Sequence, residues 1–155
     1  MEPASIGIEI RTATEYDLPV LLALDSECFP LGCPDLEPAP PGEIATGVQD
    51  ETMFVATTSQ KVVGMLQLDK VSSNEWELLS LAITATHRGQ GIGQALMDRF
   101  FVELSKSPYL VAVSCLTSPN NHAMQGLLER VGFRQVAMIP DCFGPGKHRL
   151  KFQLN

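Results

Sequence analysis

The chain has 155 residues, 45% of them apolar and 19% charged, with a formal net charge of −7. This length suits one domain with a proper core, so residues 1–155 are expected to fold as a single unit. The acidic balance argues against nucleic acid as a main partner, because phosphate backbones need a basic face, and no apolar run approaches the length of a membrane span.

The start, Met1-Glu2-Pro3, lacks the basic and apolar regions of a signal peptide. Cysteines fall at Cys28, Cys33, Cys115 and Cys142, with no C-x-x-C pair and no zinc-spaced His/Cys cluster. Cys28 and Cys33 are close enough in sequence to bridge a short loop. Without a secretion signal, all four read as reduced thiols, which predicts a cytoplasmic protein without a metal. Surplus carboxylates suit either plain solubility or the steering of a cationic amine.

Ile6 to Thr12 alternates apolar and polar residues and reads as a strand. Thr14-Glu15-Tyr16-Asp17 has the form of a capping box, and Leu18, Leu21, Leu22 and Leu24 continue as a helical stripe to about Phe29. Pro19 fits only a first turn. Pro30 to Gly42 is a stiff proline-rich loop, and Glu43 to Val48 a short helix. Thr52 to Thr57 and Lys61 to Leu68 predict a hairpin around Thr58-Ser59-Gln60. Glu75 to Ile83 follows as a central strand, with Glu75, Glu77, Leu79, Leu81 and Ile83 on one face by period two.

A helix from Gly91 to Ser105 ends before Pro108, and Tyr109 to Leu116 reads as a strand covered on both faces. Ser118-Pro119-Asn120-Asn121 offers caps for a helix whose apolar face is Met124, Leu127, Leu128 and Val131. Gly132 ends it. Phe133 to Ile139 and His148 to Leu154 complete the strands. The order predicts an α/β protein, with a mixed, mostly antiparallel sheet of about seven strands and helices on both faces.

One segment carries chemistry. Leu81-Ala82-Ile83 leaves the central strand, and Arg88-Gly89-Gln90-Gly91-Ile92-Gly93 turns into the next helix. Glycines admit positive φ and bring N–H groups close to an anion. The helix N-terminus adds unpaired donors, and Arg88 adds a cation that forks onto phosphate. The spacing fits neither G-x-G-x-x-G nor the G-K-[ST] phosphate loop. The Arg-Gly-x-Gly-Ile-Gly pattern after a Leu-x-Ile strand resembles the acetyl-CoA-binding signature of the GNAT N-acetyltransferase superfamily. Asn121 to Phe133 is similar to that family's Asn…Leu-Tyr-Glu-Lys-x-Gly-Phe helix, and the element order resembles its whole fold.

The resemblance implies acetyl-CoA as co-substrate. Leu81, Ala82 and Ile83 would guide its pantetheine arm, residues 88–93 would grip its diphosphate, and Asn121 would hydrogen-bond the arm. It implies the Ile83 N–H as oxyanion donor and Glu77 as base, with Glu75 in reserve. The usual tyrosine falls on Leu128, which donates no proton. Tyr109, Cys115, Cys142 and His148 remain by residue type, although the two cysteines read as structural. His87 and His122 read as surface residues, and Trp76 and Phe100 as core. The expected function is direct transfer of an acetyl group to a primary amine in a ternary complex. A small-molecule amine is the favoured acceptor over a peptide or protein, and a homodimer is a possible state. The rival reading is a non-catalytic acyl-CoA sensor, kept open by Leu128. A nucleotide-binding domain of another kind is disfavoured by the glycine spacing.

Overall fold

Every residue from Met53 to Thr58 is buried, and their alternation feeds two separate cores. Met53 and Val55 pack with Leu21, Leu24 and Ile44, whereas Phe54 and Ala56 pack with Ile92, Leu96 and Leu127. A strand buried on both faces needs a helical layer on each side, and the computed structural model has that arrangement. It describes residues 7–29 and 38–154. The first residues, the beginning of the expected Ile6 strand, Cys33 and most of the proline-rich loop lie outside the described residues.

The strands are β1 (Glu9–Thr12), β2 (Met53–Thr58), β3 (Lys61–Ser72), β4 (Glu75–Ile83), β5 (Ala112–Thr117), β6 (Phe133–Ile139) and β7 (Arg149–Leu154). They form one sheet in the order β1-β2-β3-β4-β5-β7-β6. Only the β4–β5 pair is parallel. Helices α1 (Leu18–Cys28) and α2 (Glu43–Gln49) cover one face, and α3 (Ile92–Ser105) and α4 (His122–Arg130) cover the other. α3 buries Ile92, Leu96, Met97 and Phe100, the stripe its helical period presents. α2 approaches β3 so closely that a Cβ on Gly47 would lie 2.5 Å from Gln67 Nε2.

Two expectations are corrected. β5 begins at Ala112, not Tyr109, because residues 107–110 turn and the Val111 and Ala112 N–H groups both donate to Asn74 O. Tyr109 is left 75% exposed. The second correction concerns β4. Gln67 pairs with Ser80 but Leu68 pairs with Leu78, so Leu79 is an extra residue, a β-bulge. The bulge reverses the alternation. Trp76 and Leu78 before it, and Leu81 and Ile83 after it, all pack on the α3/α4 core. Glu77 therefore shares the α1/α2 face with Ala82, not with Ile83.

At the entrance to α1, Asp17 is buried and accepts three strong hydrogen bonds. Arg11 donates two, at 2.7 and 2.9 Å, and the Thr14 N–H a third, at 2.8 Å. The Arg11 guanidinium, helped by the Thr14 bonds, holds the Asp17 carboxyl below its usual range. A lowered carboxyl stabilises the fold above the unfolded pKa of ~4 and loses that contribution as pH falls through the folded value. Asp17→Asn is expected to cost about 1 kcal/mol at neutral pH. Chemical denaturation at pH 7 and pH 3 should show the variant's deficit shrinking in acid; an equal deficit at both would refute the ion-pair account.

Candidate active site

β4 and β5 pair only from Glu75 to Leu78 and from Ala112 to Cys115. Beyond Leu78 the two strands part and leave a wedge. On the other side of β4 the Thr84 N–H donates to Val63 O at 2.9 Å, which makes Ile83–Gly64 a non-hydrogen-bonded pair. Leu81, two residues earlier, is in the same phase opposite Leu66. The N–H and C=O groups of both residues thus turn away from β3, into the wedge. The Ile83 carbonyl already accepts Arg88 Nε at 3.0 Å and the Cys28 thiol at 3.5 Å.

The chain leaves β4 through a short 3₁₀ turn (Ala85–His87) into the glycine-rich segment. Gly89 and Gly91 have φ of 77° and 85°, which side chains other than glycine's adopt at a cost. From residue 88 to residue 94, no main-chain N–H donates to an acceptor among the described residues. The start of α3 adds its dipole at the same place. A Cβ on Gly93 would lie 3.4 Å from Leu127 Cδ2 and 3.5 Å from Ile83 Cδ1, ordinary contact distances, so its backbone sits close to the wedge lining without space alone demanding a glycine. Ile92 turns its side chain into the core, so only its amide faces the turn, and Gln90 reaches back to Thr86 O.

Wedge and turn open into one cavity of about 750 Å³, lined by Leu81, Ala82, Ile83, Arg88, Gly89, Gly91, Gly93 and Asn121 among others. Asn121 Oδ1 caps α4 by accepting the Met124 N–H at 3.1 Å, which leaves the side-chain NH₂ as a donor. Leu127 lines the cavity, while Leu128 is wholly buried in the α3/α4 core. Cys28 also lines it, a position the sequence reading did not single out. Burial outweighs the opposing Arg88 guanidinium, pushes the Cys28 thiol up and keeps it protonated.

Glu77 lies on the opposite face of the sheet, half-buried, paired with Asp69 on β3 and Ser114 on β5. Burial raises its carboxyl above the usual range, and the charges of Asp69 and Glu43 raise it further, against a lowering by Lys151. Beside it a second cavity of about 700 Å³ is lined by Glu43, Asp50, Asp69, Lys70 and Leu79. Glu75 is exposed at the strand's start, as a solvated carboxylate would be.

The other candidate donors are placed elsewhere. Cys115 is fully buried in the core, its thiol pushed up to about 12, first by burial and then by Glu77. His148 Nδ1 accepts the Asp141 N–H at 3.0 Å within the β6–β7 loop. His87 Nδ1 contacts the Thr84 and Thr86 hydroxyls, and His122 is exposed at the start of α4. Among the described residues, no group of three or more His, Cys, Asp or Glu is placed to hold a metal ion, and no helix is long and apolar enough to cross a membrane.

Comparison with known proteins agrees with this geometry. No curated protein matches the chain in sequence. Ard1 from Thermoplasma volcanium superimposes with a TM-score of 0.82 at 22% identity, over 94% of this chain and 95% of that one. Arabidopsis thaliana Naa50, solved in complex with the bisubstrate analogue CoA-Ac-MVNAL, gives 0.80 at 18% identity, over 96% and 98%. The Salmonella typhimurium protein yncA, solved with its cofactor acetyl-CoA, gives 0.78 at 17% identity, over 96% and 93%. At these identities the likeness is one of fold. The sequence profile of the acetyltransferase (GNAT) family matches residues 18–133, three quarters of the chain; the wedge beyond Leu78 and the glycine turn are thus those of a chain that belongs to the GNAT acetyltransferase family.

Proposed function

We propose that the protein transfers an acetyl group from acetyl-CoA to a primary amine by direct attack in a ternary complex. One observation carries the reading: the run of main-chain N–H groups from residue 88 to residue 94 that are unpaired among the described residues, opening onto the wedge where β4 loses its neighbour. Consecutive amides at a helix start are built for a diphosphate. The roughly 750 Å³ cavity is large enough for the arm that follows. In this reading Leu81 and Ile83 pair with the arm through their main chain, Ala82 lines its path, Asn121 donates to it, and Arg88 and the amides of Gly89, Gln90, Gly91, Ile92 and Gly93 take the phosphates. Acetyl-CoA supplies the activated acyl carbon when bound.

The chain's own residues do the rest. The amine arrives protonated, since its free pKa is ~10, and must lose a proton before it attacks. Glu77 is the base, directly or through water, and its raised carboxyl moves it towards the operating pH. Two N–H groups face the wedge as oxyanion donors. Measured on β3, where Asp69, Leu66 and Gly64 lie opposite Glu77, Leu81 and Ile83, at ~3.3 Å per residue Ile83 lies about 17 Å along the strand from Glu77 and Leu81 about 10 Å. Leu81 is therefore the better partner for a base at Glu77, and Ile83 serves the arm. The protonated, half-buried Cys28 thiol is a poor nucleophile, which favours direct transfer over an acyl-enzyme. A small-molecule amine is the acceptor we favour, entering from the α1/α2 face beside Glu77.

Thermal-shift titration tests the donor site. Acetyl-CoA at about 100 times its Kd should stabilise the fold by ~2.7 kcal/mol, and ATP or NAD should not. Gly91→Glu should weaken acetyl-CoA binding on the order of 100-fold, because it puts a carboxylate among the phosphate donors. A Cβ at Gly91 meets nothing within 4 Å, so the cost to the fold is the positive-φ strain of about 1–2 kcal/mol and the variant should still fold. Gly91→Ala, which carries the same strain without the charge, should bind more tightly than Gly91→Glu, and unchanged affinity in Gly91→Glu would remove the phosphate site from this turn. Glu77→Gln should slow thiol release by about 100-fold or more while leaving acetyl-CoA affinity near normal. In the wild type, kcat/KM should fall in acid as the raised Glu77 carboxyl takes up its proton, and this limb should vanish in the variant. Binding of acetyl-CoA with no thiol release over a broad amine panel would instead identify an acyl-CoA sensor.

A further inference from the structure

Arg149 is only 4% exposed. Its guanidinium stacks on the Phe143 ring, 4.8 Å from the centroid, and donates to His148 O at 2.7 Å. No carboxylate among the described residues pairs with it. Among these residues it is thus a buried cation without an anion, an arrangement that is costly.

The sheet register gives the position. Leu150 and Phe152 enter the α3/α4 core, so Arg149 and Lys151 stand on the opposite face, the face of Glu77. Lys151 pairs with Leu116 and Leu150 with Thr117, whereas the last β4–β5 pair is Leu78 with Cys115. Arg149 thus lies past the point where β4 leaves, level with the open wedge. It stands two strands from β4 in the sheet order, with its guanidinium held by Phe143 and His148 of the β6–β7 loop. Lys151 stands between, near enough to lower the Glu77 carboxyl by its charge. The other flank of Glu77 is acidic, with Asp69 and Glu43. The acceptor face therefore runs from negative, at α2, to positive, at β7.

We propose that Arg149, assisted by Lys151, binds an oxyanion carried by the acceptor, so that the substrate is an amine bearing a carboxylate or phosphate. This rests on the acetyltransferase reading above. The ammonium is drawn to the Asp69 and Glu77 side and the oxyanion to Arg149, whose planar donors match either group by a fork. Phe143 holds the guanidinium flat by stacking. The two charges together orient the amine towards the wedge.

The test is a set of acceptor pairs assayed by thiol release from acetyl-CoA. Amino acids are compared with their amides, and aminoalkyl phosphates with the matching amino alcohols. The charged member of at least one pair should be preferred in kcat/KM by about 10–100-fold, and the preferred arm names the oxyanion. In Arg149→Gln that ratio should fall towards one, through KM more than kcat, while the thermal shift with acetyl-CoA stays. Arg149→Lys should recover part of the preference. If Arg149→Gln does not fold, the wild-type ratios decide alone. Neutral members used as well as charged ones, or a preference unchanged in a folded Arg149→Gln, overturns the assignment. Stabilisation by acetyl-CoA with no turnover of any charged acceptor also overturns it and leaves the donor site standing. A lack of stabilisation by acetyl-CoA defeats the acetyltransferase reading itself.

Discussion

The whole arrangement depends on one missing row of hydrogen bonds. β4 keeps β3 as a partner throughout but loses β5 after Leu78. A central strand normally satisfies its main chain on both sides, because unpaired buried N–H and C=O groups are costly. Here the groups of Leu81 and Ile83 are freed over a stretch that the two cores hold rigid from above and below. The sheet thereby carries polar groups in its middle without collapsing around them. β7 and β5 remain paired beyond the parting point, so the wedge has a firm wall on each side.

The bulge at Leu79 is the second constraint. Without the extra residue, Leu81 and Ile83 would leave the α3/α4 core, and Glu77 would share a face with them. With it, the strand presents a carboxylate on the α1/α2 side and keeps apolar contacts on the α3/α4 side above and below. A single inserted residue thus divides the strand into an acid–base half and a main-chain half. In the proposed reaction these halves serve the acceptor and the donor.

Much of this was legible from residue types. The order of seven strands and four helices follows from period, caps and breakers, and Gly132 and Pro108 mark real helix ends. The glycine turn is legible because positive φ at Gly89 and Gly91 favours glycine, so its residues are few and distinctive. The bulge was not legible. Leu78, Leu79 and Leu81 are equally apolar, and nothing local says which of them lacks a cross-strand partner. Tyr109 misled for a similar reason: its β-forming character is intrinsic, but the Asn74 carbonyl captures the two N–H groups that follow and fixes where the strand begins. Cys28 and Arg149 were invisible because their meaning comes from contacts some sixty residues away or from burial, neither of which the sequence near them encodes.

The bond from Arg88 Nε to Ile83 O has a thermodynamic corollary. The strand's free carbonyl is not waiting in solvent; a cation of the same chain occupies it. In the proposed complex an incoming amide competes with that guanidinium, so a charge-assisted bond is exchanged for a weaker neutral one. On that reading the displaced side chain keeps its value only if an anion arrives with the amide. A molecule offering the amide alone would then be penalised relative to one that brings both.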